Sequence, residues 1–204
     1  MATQDRARRT YEVILDAAAE EFVSLGYTRA TLNGVIAHTG LTKGALYGHF
    51  SSKEDLARTL IRYGGTVWTR LLAETRASRL APLAALRSVT VALTCAIWAD
   101  VRVRAAFRLA SEIPEVQDGM LLADTWAFLV HHAERARVAG QIRAAHTPES
   151  VAQLLLSMVF GFQHLPTAQR EQPVRERVES LWRIVSPALR PAGDRAEPSA
   201  AHHR

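Results

Sequence analysis

The sequence predicts an all-α protein: an N-terminal three-helix helix-turn-helix domain, then a larger helical domain for ligand binding and dimerisation, about nine helices in all. Three observations predict it. Apolar residues recur at helical spacing through most of the chain, and no alternating strand pattern of useful length occurs. Gly26, Gly40, Gly140 and a series of prolines fall between the apolar stretches, where they stop or open helices. The first apolar segments are short and the later ones long, which divides the chain into residues 1–52, residues 53–190 and a tail over 191–204.

Each element has a local cause. Ile14, Ala18, Phe22 and Leu25 mark one face of a first helix, with Gly26 as its expected C-terminal cap. Thr31 caps a short second helix carrying Leu32, Val35 and Ile36, which Gly40 ends. Thr42 caps a third, expected to reach Phe50. Ser51 or Ser52 opens a long fourth helix over 53–78, with Glu54 and Asp55 in the first turn, where the helix dipole favours acids. Pro82 starts a fifth, to Ala99, and a sixth covers Val101 to Glu112, before Pro114. The seventh runs from Glu115 or Leu121 to Ala139, and the eighth from Pro148 to His164, before Pro166. After Pro173, Val174, Val178, Leu181, Trp182 and Val185 give a ninth its apolar face. The ending PALRPAGDRAEPSAAHHR reads as a disordered tail.

Composition narrows the class. At 48% hydrophobic and 22% charged residues, the 204-residue chain is ordinary globular material. A single cysteine, Cys95, rules out an internal disulfide and fits a reducing compartment. The N-terminus reaches charges too soon for a signal peptide, and no run of about 18 uncharged apolar residues occurs. A cytoplasmic, nucleoid-associated protein without membrane contact is expected. Glu-x-x-His pairs, G-x-S-x-G, phosphate loops and dinucleotide fingerprints are all missing, so neither an enzyme nor a cofactor is expected.

The stretch TLNGVIAHTGLTKGALYGHFSSKEDL carries the chemistry. It holds Lys43 and Lys53, the only two lysines in a chain that otherwise uses arginine, and no carboxylate lies between Glu21 and Glu54. Two short helices joined by Thr39-Gly40-Leu41 fit a helix-turn-helix, whose second helix enters the DNA major groove. The expected contacts are Thr31, Thr42, Lys43, Tyr47, His49 and Lys53 toward phosphates or bases. Gly44, Ala45 and Gly48 stand opposite Leu46 and Phe50 and let the backbone approach closely. Residues 1–58 hold seven basic and seven acidic side chains, so affinity rests on placement and on Arg6, Arg8 and Arg9 rather than on bulk charge.

From Ile14 to Leu56 the sequence resembles the TetR family of bacterial transcriptional regulators. The carrying residues are Gly26 and Tyr27, then Thr42, Lys43, Gly44, Ala45, Leu46, Tyr47, His49, Phe50, Lys53 and Leu56. The departure is Gly48, where members often carry a bulky residue. The resemblance implies a homodimer on a pseudo-palindromic operator in double-stranded DNA, with a ligand cavity in each body. VAQLLLSMVFGFQHL and VRERVESLWRIV suit a four-helix interface between copies, through about 149–165 and 173–188.

The segments VRAAFRLASEIP, TWAFLVHHAERARVAGQI and ESVAQLLLSMVFG look like the γ-butyrolactone receptor branch, whose members sense small lipophilic signals and keep a pocket tryptophan where Trp126 stands. The candidate ligand-binding residues are Trp126, Phe160, Gln163, Thr125, Val130, Trp98 and Phe107, with His131 as a further donor. Arg104 or Arg108 would meet an acidic ligand, or else face water or Glu112. The fourth helix is the expected lever between the domains. The rival reading is a TetR-type repressor of an efflux or metabolic gene sensing another hydrophobic ligand. A pocket for cationic drugs would offer carboxylates, and none of the body's acids stands in an apolar run.

Overall fold

The computed structural model describes residues 2–113, 121–162 and 173–191. Among these residues stand nine α-helices and no strand: α1 (Ala2–Arg29), α2 (Leu32–Thr39), α3 (Lys43–Tyr47), α4 (Lys53–Ala77), α5 (Pro82–Ala99), α6 (Val101–Glu112), α7 (Leu121–Val138), α8 (Pro148–Gly161) and α9 (Val174–Leu189). The expected continuation of α8 to His164 and the tail beyond residue 191 lie outside the described residues.

Two ends differ from the sequence reading. Gly26 does not cap α1. It sits at a kink, with φ 74° and ψ 170°, and the helix resumes to Arg29. Helix α3 stops at Tyr47 rather than at Phe50, although Phe50 N still donates to Leu46 O at 2.9 Å. The cap residues stand where side-chain chemistry puts them. Thr31, Thr42 and Ser52 accept from the backbone N–H groups of Gly34, Ala45 and Asp55.

Two apolar clusters divide the molecule. The head gathers Ile14, Ala18, Phe22, Val35, Leu46 and Phe50; the body gathers residues of α5, α7, α8 and α9. Helices α4 and α6 serve both. Leu56, Leu60 and Ile61 of α4 and Leu109 of α6 join the head cluster, while Val67, Trp68 and Leu71 of α4 and Val103 and Phe107 of α6 join the body cluster. Helix α5 is long and apolar enough to cross a membrane by length and composition, but Leu86, Val89, Leu93 and Ile97 spend that character on the body core.

The two glycines of α4 sit where its allegiance changes. A Cβ on Gly64 would lie 2.5 Å from Ala106 Cβ, whereas one on Gly65 would meet nothing within 4 Å. Gly65→Ala therefore stabilises by about 0.5–1 kcal/mol, because the helix gains alanine's propensity at no steric cost. Gly64→Ala loses stability through overpacking, by about 1–3 kcal/mol. Thermal melts of the two variants should move in opposite directions.

Candidate functional site

Helices α2 and α3 meet at Gly40, whose φ of 65° suits glycine. Leu46 and Phe50 point inward as expected. Lys43, Gly44, Tyr47 and Gly48 then form one exposed strip on α3, with Thr42 exposed at its N-terminal end. Tyr47 is 54% exposed, unusual for an aromatic ring with a core beside it. A Cβ on Gly44 would meet only Thr42 Oγ1, at 3.9 Å, so nothing inside the fold requires glycine there. Ala45 is half-buried and not part of the open strip. His49 is also half-buried, its ring edge-on to Tyr11 at 6.2 Å, and Tyr11 in turn stacks on Phe50 at 5.0 Å. Thr31 is exposed, but its oxygen is engaged as the α2 cap.

The strip is free of acids because the nearest ones are turned away. Glu21 is buried under the start of α2, where it accepts from Thr31 N at 3.3 Å and lies close against Gly34. Asp55 accepts from the Ser51 backbone N–H at 3.0 Å.

Lys53 has partners inside the fold that the sequence did not show. Its ammonium donates to Tyr27 O at 2.8 Å and Ala30 O at 3.1 Å, and lies 4.4 Å from the centre of the Tyr27 ring. Two of its three protons are spent on carbonyls at the end of α1, so Lys53 braces the head. A compact ammonium suits clustered carbonyls better than a broad guanidinium fork does. The two lysines thus do different work.

Helix α6 grips α1 more extensively than α4 does, so α6 links the halves beside the α4 that the sequence led one to expect. At its start, Arg102 pairs with Glu12 and Asp16 of α1, and both hold its guanidinium charged. Beside it Tyr63 of α4 donates to Asp100 at 2.6 Å. At its end, Arg108 donates to Val23 O and pairs with Glu112 at 2.7 Å, and Glu112 accepts from Tyr27 N. Burial pushes the Glu112 carboxyl up, but the Arg108 guanidinium and the Tyr27 N–H outweigh it and hold it below its usual value. A Cβ on Gly26 would lie 2.8 Å from both Arg108 Nη2 and Glu112 Oε1. Arg104 caps the end of α5 through Ile97 O and Trp98 O instead of facing a ligand.

A cleft of about 600 Å³ opens between α7 and α8. Trp126 and Phe160 line it as expected. Of the other expected wall residues, none that is described lines it. Thr125 is fully buried and donates to Leu121 O at 2.6 Å. Val130 packs against the body core, and Phe107 sits behind Phe160, ring centres 6.0 Å apart. Trp98 lies under the Arg177 guanidinium at 5.5 Å. Arg177 is itself only 8% exposed and rests on Phe162 from 5.2 Å, with no acceptor for its terminal nitrogens among the described residues. His131 is exposed, edge-on to His132, and is not among the cleft's lining residues. Gln163 lies outside the described residues. Sequence reasoning missed Leu122 and Ala123 on α7 and Gln153, Leu156 and Ser157 on α8. The spacing 153, 156, 157, 160 marks a single helical face and was legible in principle.

The family model for "Bacterial regulatory proteins, tetR family" matches residues 14–60, which span α2, α3 and the start of α4. The A-factor receptor protein of Streptomyces griseus is 29% identical over 196 residues, covering 93% of this chain and 67% of that protein. A crystal structure of a γ-butyrolactone receptor (ArpA-like protein) superposes with a TM-score of 0.76 at 28% identity, covering 94% of this chain and 93% of the other. The chain belongs to the TetR family. Within it, the likeness runs along the γ-butyrolactone receptor branch, as the Trp126 segment had indicated. A second solved structure, the TetR family protein CprB from Streptomyces coelicolor in complex with its biological operator sequence, matches at 27% identity and a TM-score of 0.76, covering 94% of this chain and 93% of that one. TetR proteins are regulators, which agrees with the expectation that this chain is no enzyme.

Two predictions test the bracing. Lys53→Met lowers stability by roughly 1–3 kcal/mol, read as a fall in Tm, because two carbonyls lose a charged donor. The folded-state pKa of Glu112 lies below its ordinary value of 4.5, so its stabilising contribution is present above that value and lost as pH falls through the folded pKa. Glu112→Gln should therefore lower Tm at neutral pH, and the gap from the parent chain should close under acid conditions.

Proposed function

We propose that the chain is a homodimeric repressor that holds a pseudo-palindromic operator through paired α3 strips and lets go when a small lipophilic signal enters the α7–α8 cleft. The observation that carries this reading is the exposed, acid-free strip of Lys43, Gly44, Tyr47 and Gly48 beside the Thr42 cap. Lys43 and Tyr47 supply donors for phosphates or bases, and the two glycines leave a flat surface for close approach. Thr31 and His49 flank the strip as secondary contacts, and Arg6, Arg8 and Arg9, exposed on the first turns of α1, reach for flanking phosphates.

Dimerisation falls to α8 and α9. Helix α8 has three apolar or mixed sides: Val151, Leu155 and Val159 face the core, Leu156 and Phe160 face the cleft, and Leu154 looks outward. On α9, Ile184 is 71% exposed. An outward Leu154 and Ile184 suit the four-helix contact expected from the sequence.

A signal of the γ-butyrolactone, butenolide or furan type, acting on secondary metabolism in the cytoplasm, fits the names of the receptors this chain resembles. Among the described residues no carboxylate lines the cleft, which speaks against a cationic drug. Release follows from linkage: a ligand that prefers the conformation unfit for DNA weakens operator binding, and the operator weakens ligand binding by the same factor.

Fluorescence anisotropy on fragments from the gene's own neighbourhood tests the reading. Lys43→Ala should weaken binding by about tenfold and reduce the salt slope by about one. Trp126→Ala should raise by about tenfold the concentration of co-purifying small molecule needed for release. A monomeric parent chain that ignores every fragment at low salt would defeat the proposal.

A further inference from the structure

The cleft between α7 and α8 has one polar wall. Gln153 and Ser157 stand four residues apart on α8, hence on the same side and about 6 Å apart along the axis. Both line the cleft and both are exposed. Neither side chain bonds to another described residue. That is notable for Ser157, because Thr66, Thr69, Thr75, Thr90, Thr94 and Thr125 each return their hydroxyl to the carbonyl four residues back. Across from them on α7 are the Trp126 indole and Leu122, Phe160 follows on their own helix face, and among the described residues no ionisable side chain lines the cleft.

Such a lining selects by charge. An ion entering it would leave water for an apolar wall with no counter-charge, which costs more than hydrocarbon contact returns. A neutral molecule with an apolar tail loses nothing there, and its oxygens meet two groups that each both donate and accept. We infer that Gln153 and Ser157 are the specificity-determining pair of this cleft, holding the oxygen-bearing head of a neutral amphiphile while Trp126 and Phe160 take its tail. The inference rests on the assignment of the cleft as the effector site. It goes further in naming which residues read the effector and which charge state they admit.

Three ten-carbon probes decide it by titration calorimetry on the full chain: γ-decanolactone, decanoate and decylammonium. The parent should take the lactone at least about tenfold more tightly than either ion. The double variant Gln153→Leu, Ser157→Ala should lose about tenfold for the lactone, and Gln153→Glu should turn the preference toward decylammonium. Leu156→Trp, which fills the cleft, should abolish lactone binding. If Leu156→Trp blocks the lactone while the double variant binds it at parental strength, the pair inference is overturned and the cleft assignment survives. If Leu156→Trp leaves lactone binding untouched, the cleft assignment itself fails. Equal affinity for all three probes, or binding of none by the parent, overturns the neutral-ligand inference.

Discussion

The attitude of the head toward the body depends on how a few backbone atoms of α1 are held. Between Val23 and Ala30 the chain passes through the Gly26 kink. There it is clasped by Arg108 and Glu112 of α6 on one side and by Lys53 of α4 on the other. Hydrogen bonds from charged groups to backbone are stronger than neutral ones and fix direction as well as distance. Because α1 packs on α2, and α2 carries α3, whatever sets the kink also sets where the α3 strip points.

That clasp is close, along the chain, to the cleft. Glu112 ends α6, and α7 opens with Leu121, followed by the lining residues Leu122, Ala123 and Trp126. Helices α6 and α7 also pack on each other, so under the proposed function a ligand that repositions α7 would be felt by the helix that holds Tyr27. The close Gly64–Ala106 contact ties α4 to α6 at the point where both change from one core to the other. Packed interiors move between discrete arrangements rather than deforming smoothly, so such a junction suits a two-state change.

Most of the fold was legible in the sequence because its causes are local. Helical spacing, capping threonines and helix-opening prolines are side-chain properties that need no tertiary context. The exposed strip was legible too, through the burial of Leu46 and Phe50. What could not be read was where long side chains spend their polar ends. Lys53 at a helix start looks solvent-facing until the carbonyls of Tyr27 and Ala30, more than twenty positions away in sequence, arrive beside it. Trp98, Phe107 and Thr125 have the composition of pocket walls, but cleft membership depends on which side of α5, α6 or α7 is occupied by a neighbour. A glycine after an apolar run fits a cap and a kink alike, since both favour positive φ. The helix that resumes beyond Gly26, and Arg108 and Glu112 packed where a side chain would stand, make it a kink.

Helix α8 leaves evolution little room. Its inner side fills the core, another side shapes the cleft through Gln153, Leu156, Ser157 and Phe160, and Leu154 stands on the remaining side. Ser157 and Leu154 are three positions apart, hence near neighbours on the helix surface. Under the proposed function, a substitution that retunes the taste of the cleft would also disturb the face by which the chain chooses its mate. In a genome carrying several such genes, divergence in diet and divergence in partnership would travel together, keeping duplicated copies from forming mixed pairs that answer to the wrong cue.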